Sequence, residues 1–105
     1  MKYPKLPSFR LDGKNALVTG AGRGIGMGAS IALAESGAKV TLVSRTEKEL
    51  KEISDYINSQ GYEASYISLD VNNENEISEL INSSDPFDIL VNNAGTNKPA
   101  KLVDT

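Results

Sequence analysis

The groups best suited to chemistry in this sequence lie in one short run, Thr19-Gly20-Ala21-Gly22-Arg23-Gly24-Ile25-Gly26. Glycines at 20, 22, 24 and 26 remove side chains where a backbone must bend sharply and a ligand must come close. An apolar stretch, Asn15 to Thr19, leads into the run, and a helix-forming stretch follows it. A helix starting there offers unpaired amide hydrogens and the positive end of its dipole at the bend. Strand, glycine turn and helix N-terminus together make a cradle for a phosphate. Its candidate binding residues are Gly20, Gly22, Arg23, Gly24, Ile25 and Gly26. The plainer reading is a tight turn without a ligand, but an ordinary turn rarely needs four glycines in seven residues.

If the phosphate belongs to a dinucleotide, the ribose 2′ position is read at the end of the following strand. An Asp or Glu there accepts hydrogen bonds from a free diol and repels a phosphate. This chain has Ser44 and Arg45 instead, with no carboxylate before Glu47. Arg23 adds a second guanidinium within reach of the same place. Guanidinium forms paired bonds to phosphate oxygens, so these residues favour NADP over NAD. The alternative is that Arg45 is a solvated residue ahead of a helix.

The elements that must hold these groups alternate along the chain. Residues 15–19 form a first strand after the turn Asp12-Gly13-Lys14. The helix after the glycines places Ile25, Ala29, Ala32 and Leu33 on one face and stops at Gly37. Residues 39–44 make a second strand. Thr46 and Glu49 have capping-box spacing and open a helix with Leu50, Ile53 and Ile57 as its apolar stripe and Gly61 beyond its end. A third strand spans Glu63 to Val71. Asn73 and Glu76 repeat the cap spacing ahead of a helix burying Ile77, Leu80 and Ile81, and Asp85-Pro86 ends it. A fourth strand runs from Phe87 to Asn92.

This β-α-β-α-β-α-β order predicts an α/β fold, a Rossmann-like doubly wound parallel sheet of strand order 3-2-1-4. The first two helices fall on one face and the third on the other, and the reversal opens a crevice where dinucleotides sit. The sheet is incomplete. One helix cannot cover the second face, and the Ile89-Leu90-Val91 strand would be an apolar edge. The chain therefore reads as the front half of a larger fold, either a fragment or a piece covered by a partner, and the open edge is compatible with a homo-oligomer. Residues 1–10, with two prolines, read as an extended N-terminal arm, and 11–105 as the N-terminal part of a dinucleotide-binding Rossmann domain.

The totals narrow the function. At 105 residues the chain holds one domain. A net charge of −3 gives no reason to expect nucleic acid or an anionic membrane as partner. With no Cys and no His, thiolate or His-ligated metal sites and a Ser-His-Asp triad are excluded within this sequence. No apolar run is long enough to span a bilayer, and Met1 to Pro7 lack a signal peptide's apolar core, so a cytoplasmic location is expected.

Thr19, Gly20, Gly24 and Gly26 fit T-G-x-x-x-G-x-G, whereas the common G-x-G-x-x-G would need a glycine where Ile25 stands. A second motif, Asn92-Asn93-Ala94-Gly95, falls where the fourth strand ends. On these two motifs the chain resembles the short-chain dehydrogenase/reductase family from about Leu11 to its last residue. The resemblance implies hydride transfer between a nicotinamide dinucleotide and a small-molecule carbonyl or secondary alcohol. It also implies that Asp70 bonds the adenine amino group with help from the Val71 backbone, the plainer role for Asp70 being to cap a turn. Asn93, Ala94 and Gly95 would line the ribose, with Thr19 and Asn92 more structural. Family members act through a Tyr-x-x-x-Lys pair, a Ser and a further Asn. Four residues after Tyr3, Tyr56, Tyr62 and Tyr66 stand Pro7, Gln60, Tyr66 and Asp70, none of them lysine. No catalytic residue is therefore assigned in this sequence. Two alternatives stay open: a non-catalytic nucleotide-binding module or truncated relic, and a different Rossmann-like enzyme such as a methyltransferase.

Overall fold

The computed structural model describes residues 10–22 and 24–92. The expected arm up to residue 9, Arg23, and the Asn93, Ala94 and Gly95 segment lie outside the described residues. Seven elements alternate along the chain: β1 (Asn15–Thr19), α1 (Gly24–Glu35), β2 (Lys39–Ser44), α2 (Glu47–Ser59), β3 (Glu63–Ser68), α3 (Glu74–Ser83) and β4 (Ile89–Asn92). The strands form one parallel sheet in the order β3-β2-β1-β4, as the sequence predicts.

Period-two alternation sorts the core into two faces. Ala16 and Val18 of β1 join Val40 and Leu42 of β2 beneath α1 and α2, which contribute Ala34, Leu50, Ile53 and Ile57. Leu17 and Val43 turn to the opposite face, where Leu69 and Leu80 meet them with Ile77 and Phe87 alongside. The first two helices thus cover one face and α3 the other. The α2 stripe is the one read from the sequence, and full burial of Leu50 and Ile57 favours its docking by about 1.5–3 kcal/mol each. At the far end of α1 the chain is clasped. The Arg10 guanidinium donates to Asp12 Oδ1 at 2.8 Å and to Glu35 O at 3.1 Å, while Leu11 N donates to Ser36 O at 2.7 Å. Asp12's hydrogen bond and charge hold the Arg10 pKa above its ordinary value.

Several local expectations need correction. The buried line of α1 is Gly26, Ser30 and Ala34, and Ile25 is 79% exposed. A helix pressed close to a sheet puts its smallest residues in the fully buried line, while Ile31 and the expected Leu33 pack beside it, partly buried. β3 ends at Ser68 rather than Val71. Leu69 N still donates to Ser44 O at 2.9 Å, but Asn73 N then turns back to Asp70 O at 2.9 Å. β4 begins two residues late, because Asp88 bonds Asn15 with both its backbone N and its carboxylate (2.8 and 2.9 Å) ahead of the regular ladder. Thr46 makes no side-chain cap, its amide donating instead to Ser44 Oγ at 3.2 Å. Asn73 does cap α3, accepting from Asn75 N at 3.0 Å and Glu76 N at 3.2 Å. Ile81 is exposed rather than buried, since Leu80 and Ile77 form the contact face of α3. Leu90, which shares its register with Leu17, is 63% exposed because α3 does not extend over β4.

Candidate functional site

β1, β2 and β3 deliver their C-terminal ends to one edge of the sheet, and the glycine turn sits there. Thr19, buried at the end of β1, places its hydroxyl 3.0 Å from Asn92 Oδ1 and 3.4 Å from Val91 O. It ties β1 to β4, the structural role expected for both Thr19 and Asn92. Gly20 and Gly24 have φ of 62° and 61°, the left-handed region that L side chains rarely adopt. Between them Ala21 is fully buried, and its amide donates to Val43 O at 3.3 Å, leaning the turn across β2. The second left-handed glycine starts α1. Gly26 then lets that helix approach the sheet, and its carbonyl accepts from Ser30 Oγ at 2.8 Å. The Ile25 side chain is in solvent.

Charge is distributed unevenly over the helix starts. α2 carries Glu47 and Glu49 in its first turn and α3 carries Glu74 and Glu76, while α1 carries no acid there. The positive end of the α1 dipole is therefore left without a first-turn carboxylate of its own.

Beside the turn, Gly20, Ser44, Arg45, Leu69, Asp70, Val71 and Asn72 line a cleft of about 130 Å³. Five residues singled out from sequence thus meet in one place: Gly20, Ser44, Arg45, Asp70 and Val71. Ser44 Oγ accepts from Thr46 N at 3.2 Å, which leaves its own hydroxyl hydrogen to donate. Arg45 is exposed, and its carbonyl accepts from Ser68 Oγ at 3.2 Å, which fixes its backbone beside the cleft. Asp70 Oδ1 accepts from Asn72 N at 2.9 Å, so this carboxylate caps a turn and lines the cleft at once. Gly22 adjoins the same region. A methyl built on it would lie 2.6 Å from Glu49 Oε1 and 3.5 Å from Ser44 Oγ. Glu49, whose spacing from Thr46 reads as a capping box, thus lies beside Gly22.

A larger cleft of about 240 Å³ lies elsewhere, lined by Asn15, Lys39, Thr41, Ser65, Asp85 and their neighbours. It includes the first residues of β1 and β2, the wrong end of the strands for a ligand in an open α/β sheet. Among the described residues, no group of three His, Cys, Asp or Glu side chains could hold a metal ion, and no helix is long and apolar enough to cross a membrane.

The sheet order and alternating helices make this an incomplete Rossmann-like α/β unit, and comparison with known proteins gives its family. The sequence profile of the family described as short chain dehydrogenase matches residues 14–105, so the chain belongs to that family. An uncharacterised oxidoreductase of Mycobacterium tuberculosis is 36% identical over 104 residues, covering 95% of this chain and 40% of its own length. The crystal structure of a hydroxysteroid dehydrogenase from Escherichia coli superposes with a TM-score of 0.78 at 39% identity, over 85% of this chain and 40% of that one. A metagenomic short-chain oxidoreductase in complex with NADP superposes with a TM-score of 0.75 at 34% identity, over 82% of this chain and 41% of its own. The chain thus spans about two-fifths of the length of the relatives it matches.

Proposed function

We propose that this chain is the NADP(H)-binding portion of an oxidoreductase that interconverts a carbonyl and a secondary alcohol by hydride transfer. The observation that carries the reading is the turn after β1, where two left-handed glycines lead into a helix with no acid in its first turn. The backbone of Gly20, Gly22, Gly24, Ile25 and Gly26 would hold the pyrophosphate, with Arg23 beside it. Ser44 and Arg45 would take the 2′-phosphate, Ser44 with the hydroxyl hydrogen that its bond from Thr46 leaves over. Asp70 has Oδ1 engaged by Asn72, so its other oxygen would accept from the adenine amino group while the Val71 backbone pairs next to it. Asn93, Ala94 and Gly95 would line the ribose.

When bound, the dinucleotide supplies or accepts the hydride. The part played by these residues is to bind and orient it and to select its 2′ substituent. No residue of this sequence is assigned the proton step, because no tyrosine has a lysine four positions on. The bound NADP of one structural relative supports the choice of cofactor class. A second reading, a nucleotide-binding module that acts through a protein partner, is favoured by the exposed Leu90 on β4. Both readings predict binding, and only the first predicts consumption of NADPH with a carbonyl substrate. Calorimetric titration of the intact protein should give saturable binding, with NADP tighter than NAD by about tenfold or more. Absence of binding by either dinucleotide would overturn the proposal.

A further inference from the structure

β3 forms an outer edge of the sheet, and the last turn of α2 reaches over to occupy part of it. Backbone groups along β3 alternate in direction. Those of the odd-numbered residues turn to β2, in step with the bond from Leu69 N to Ser44 O. Those of Tyr62, Ala64, Tyr66 and Ser68 turn outward. At the upstream end Tyr62 N donates to Ile57 O at 3.3 Å. The Asn58 side chain then treats Ala64 as a neighbouring strand would. Its Oδ1 accepts from Ala64 N at 2.9 Å and its Nδ2 donates to Ala64 O at 3.0 Å. The buried Ser54 hydroxyl donates to the same carbonyl at 3.2 Å and lies 3.4 Å from Asn58 Nδ2. Downstream, the outward N–H and C=O of Tyr66 and Ser68 pair with nothing among the described residues. An unpaired strand edge invites another strand, and proteins commonly guard it with charge or proline. From Ala64 to Ser68, β3 carries neither.

We propose that the Asn58 side chain closes the β3 edge against a second copy of this chain, which would otherwise add its own β3 antiparallel across a two-fold axis. The choice of partner follows from the register that uses the whole edge. With Tyr66 opposite its own counterpart, Ala64 of each copy meets Ser68 of the other. Each of these residues points outward, so every pair exchanges both of its bonds. No like charges meet between Ala64 and Ser68, so the strand is complementary to itself. With Ala64 held by Asn58 only the central pair survives, because both outer pairs need Ala64. One side chain thus disables most of the contact. The inference does not depend on the dinucleotide reading of the cleft.

The test is sedimentation of the intact wild-type protein and its Asn58→Ala and Asn58→Ser variants over a range of concentrations. Each is checked for a cooperative melt, and backbone hydrogen exchange of β3 is followed alongside. Both variants should self-associate about tenfold or more tightly than wild type, because the outer pairs become available. The amides of Tyr66 and Ser68, open to exchange in wild type, should slow in the variants as concentration rises. Adding Ser68→Pro should abolish the gain, since proline removes an outward N–H without touching a bond to β2. Wild-type association in both folded variants overturns the inference. So does association that Ser68→Pro leaves unchanged, or that leaves the Tyr66 and Ser68 amides unprotected. Should neither variant melt cooperatively, the wild-type amide of Ala64 must still exchange more slowly than those of Tyr66 and Ser68, and equal rates overturn the inference.

Discussion

Alanine at Gly24 and alanine at Gly28 would each add one methyl group to α1, and in both places nothing lies within 4 Å of the new carbon. Packing therefore drops out of the comparison and only the backbone remains. Gly24 has φ of 61°, where an L side chain costs roughly 1–2 kcal/mol. Gly28 sits in the body of α1 with ordinary helical φ, where alanine is better than glycine by about 0.8–1 kcal/mol. The two substitutions should thus act in opposite directions and end about 2–3 kcal/mol apart. In thermal unfolding each kcal/mol shifts Tm by a few degrees, about 2–8 °C depending on domain size. Gly28→Ala should melt above wild type and keep its dinucleotide affinity. Gly24→Ala should melt below wild type and lose affinity, because the left-handed turn that aims the first α1 amides is the part strained. Both variants shifting in the same direction, or Gly24→Ala retaining wild-type stability and binding, would refute the reasoning.

Arg45→Ala should weaken NADP binding by about tenfold or more and leave NAD nearly unchanged in parallel titrations, since a charge-assisted bond is worth about 1.5–3 kcal/mol. Thr19→Val removes the hydroxyl that meets Asn92 Oδ1 and Val91 O in a buried position, and should cost about 1–3 kcal/mol in denaturant unfolding. Asn73→Ala should cost about 1 kcal/mol by the same assay because its side chain caps α3. Thr46→Ala should cost only a few tenths, because Thr46 makes no side-chain cap.

The strand order and the two faces of the sheet were legible because β1 has Ala16-Leu17-Val18 at its centre, β2 is rich in Val, Thr and Leu, and α2 repeats its apolar residues at helical spacing. The face of α1 was not. Its sequence, GIGMGASIALAE, spreads small and apolar residues around the helix, so no stripe stands out. What decides the contact is size, and Gly26, Ser30 and Ala34 win over Ile25. The end of β3 was hidden for a different reason. Ser68-Leu69-Asp70-Val71 continues a plausible strand alternation, and the turn is marked by two bonds back to Asp70, from Asn72 N to its side chain and from Asn73 N to its carbonyl. At the site, Gly20, Gly24, Ser44 and Arg45 were legible from spacing because each lies at a strand end or helix start. The place of Glu49 beside Gly22 was not, because its spacing from Thr46 suggested a helix cap. That place depends on how α2 docks against the turn, and local sequence does not encode that.

The central claim is that the head of α1 grips a nicotinamide dinucleotide. Backbone hydrogen exchange of the intact protein, with and without saturating NADP, tests it residue by residue. The account predicts slowed exchange at the amides of Gly24, Ile25 and Gly26 and around Ser44 and Arg45, with the exposed flank of α3 unchanged. Binding without protection of the α1 amides, or with protection confined to the cleft beside Asn15 and Lys39, would contradict it.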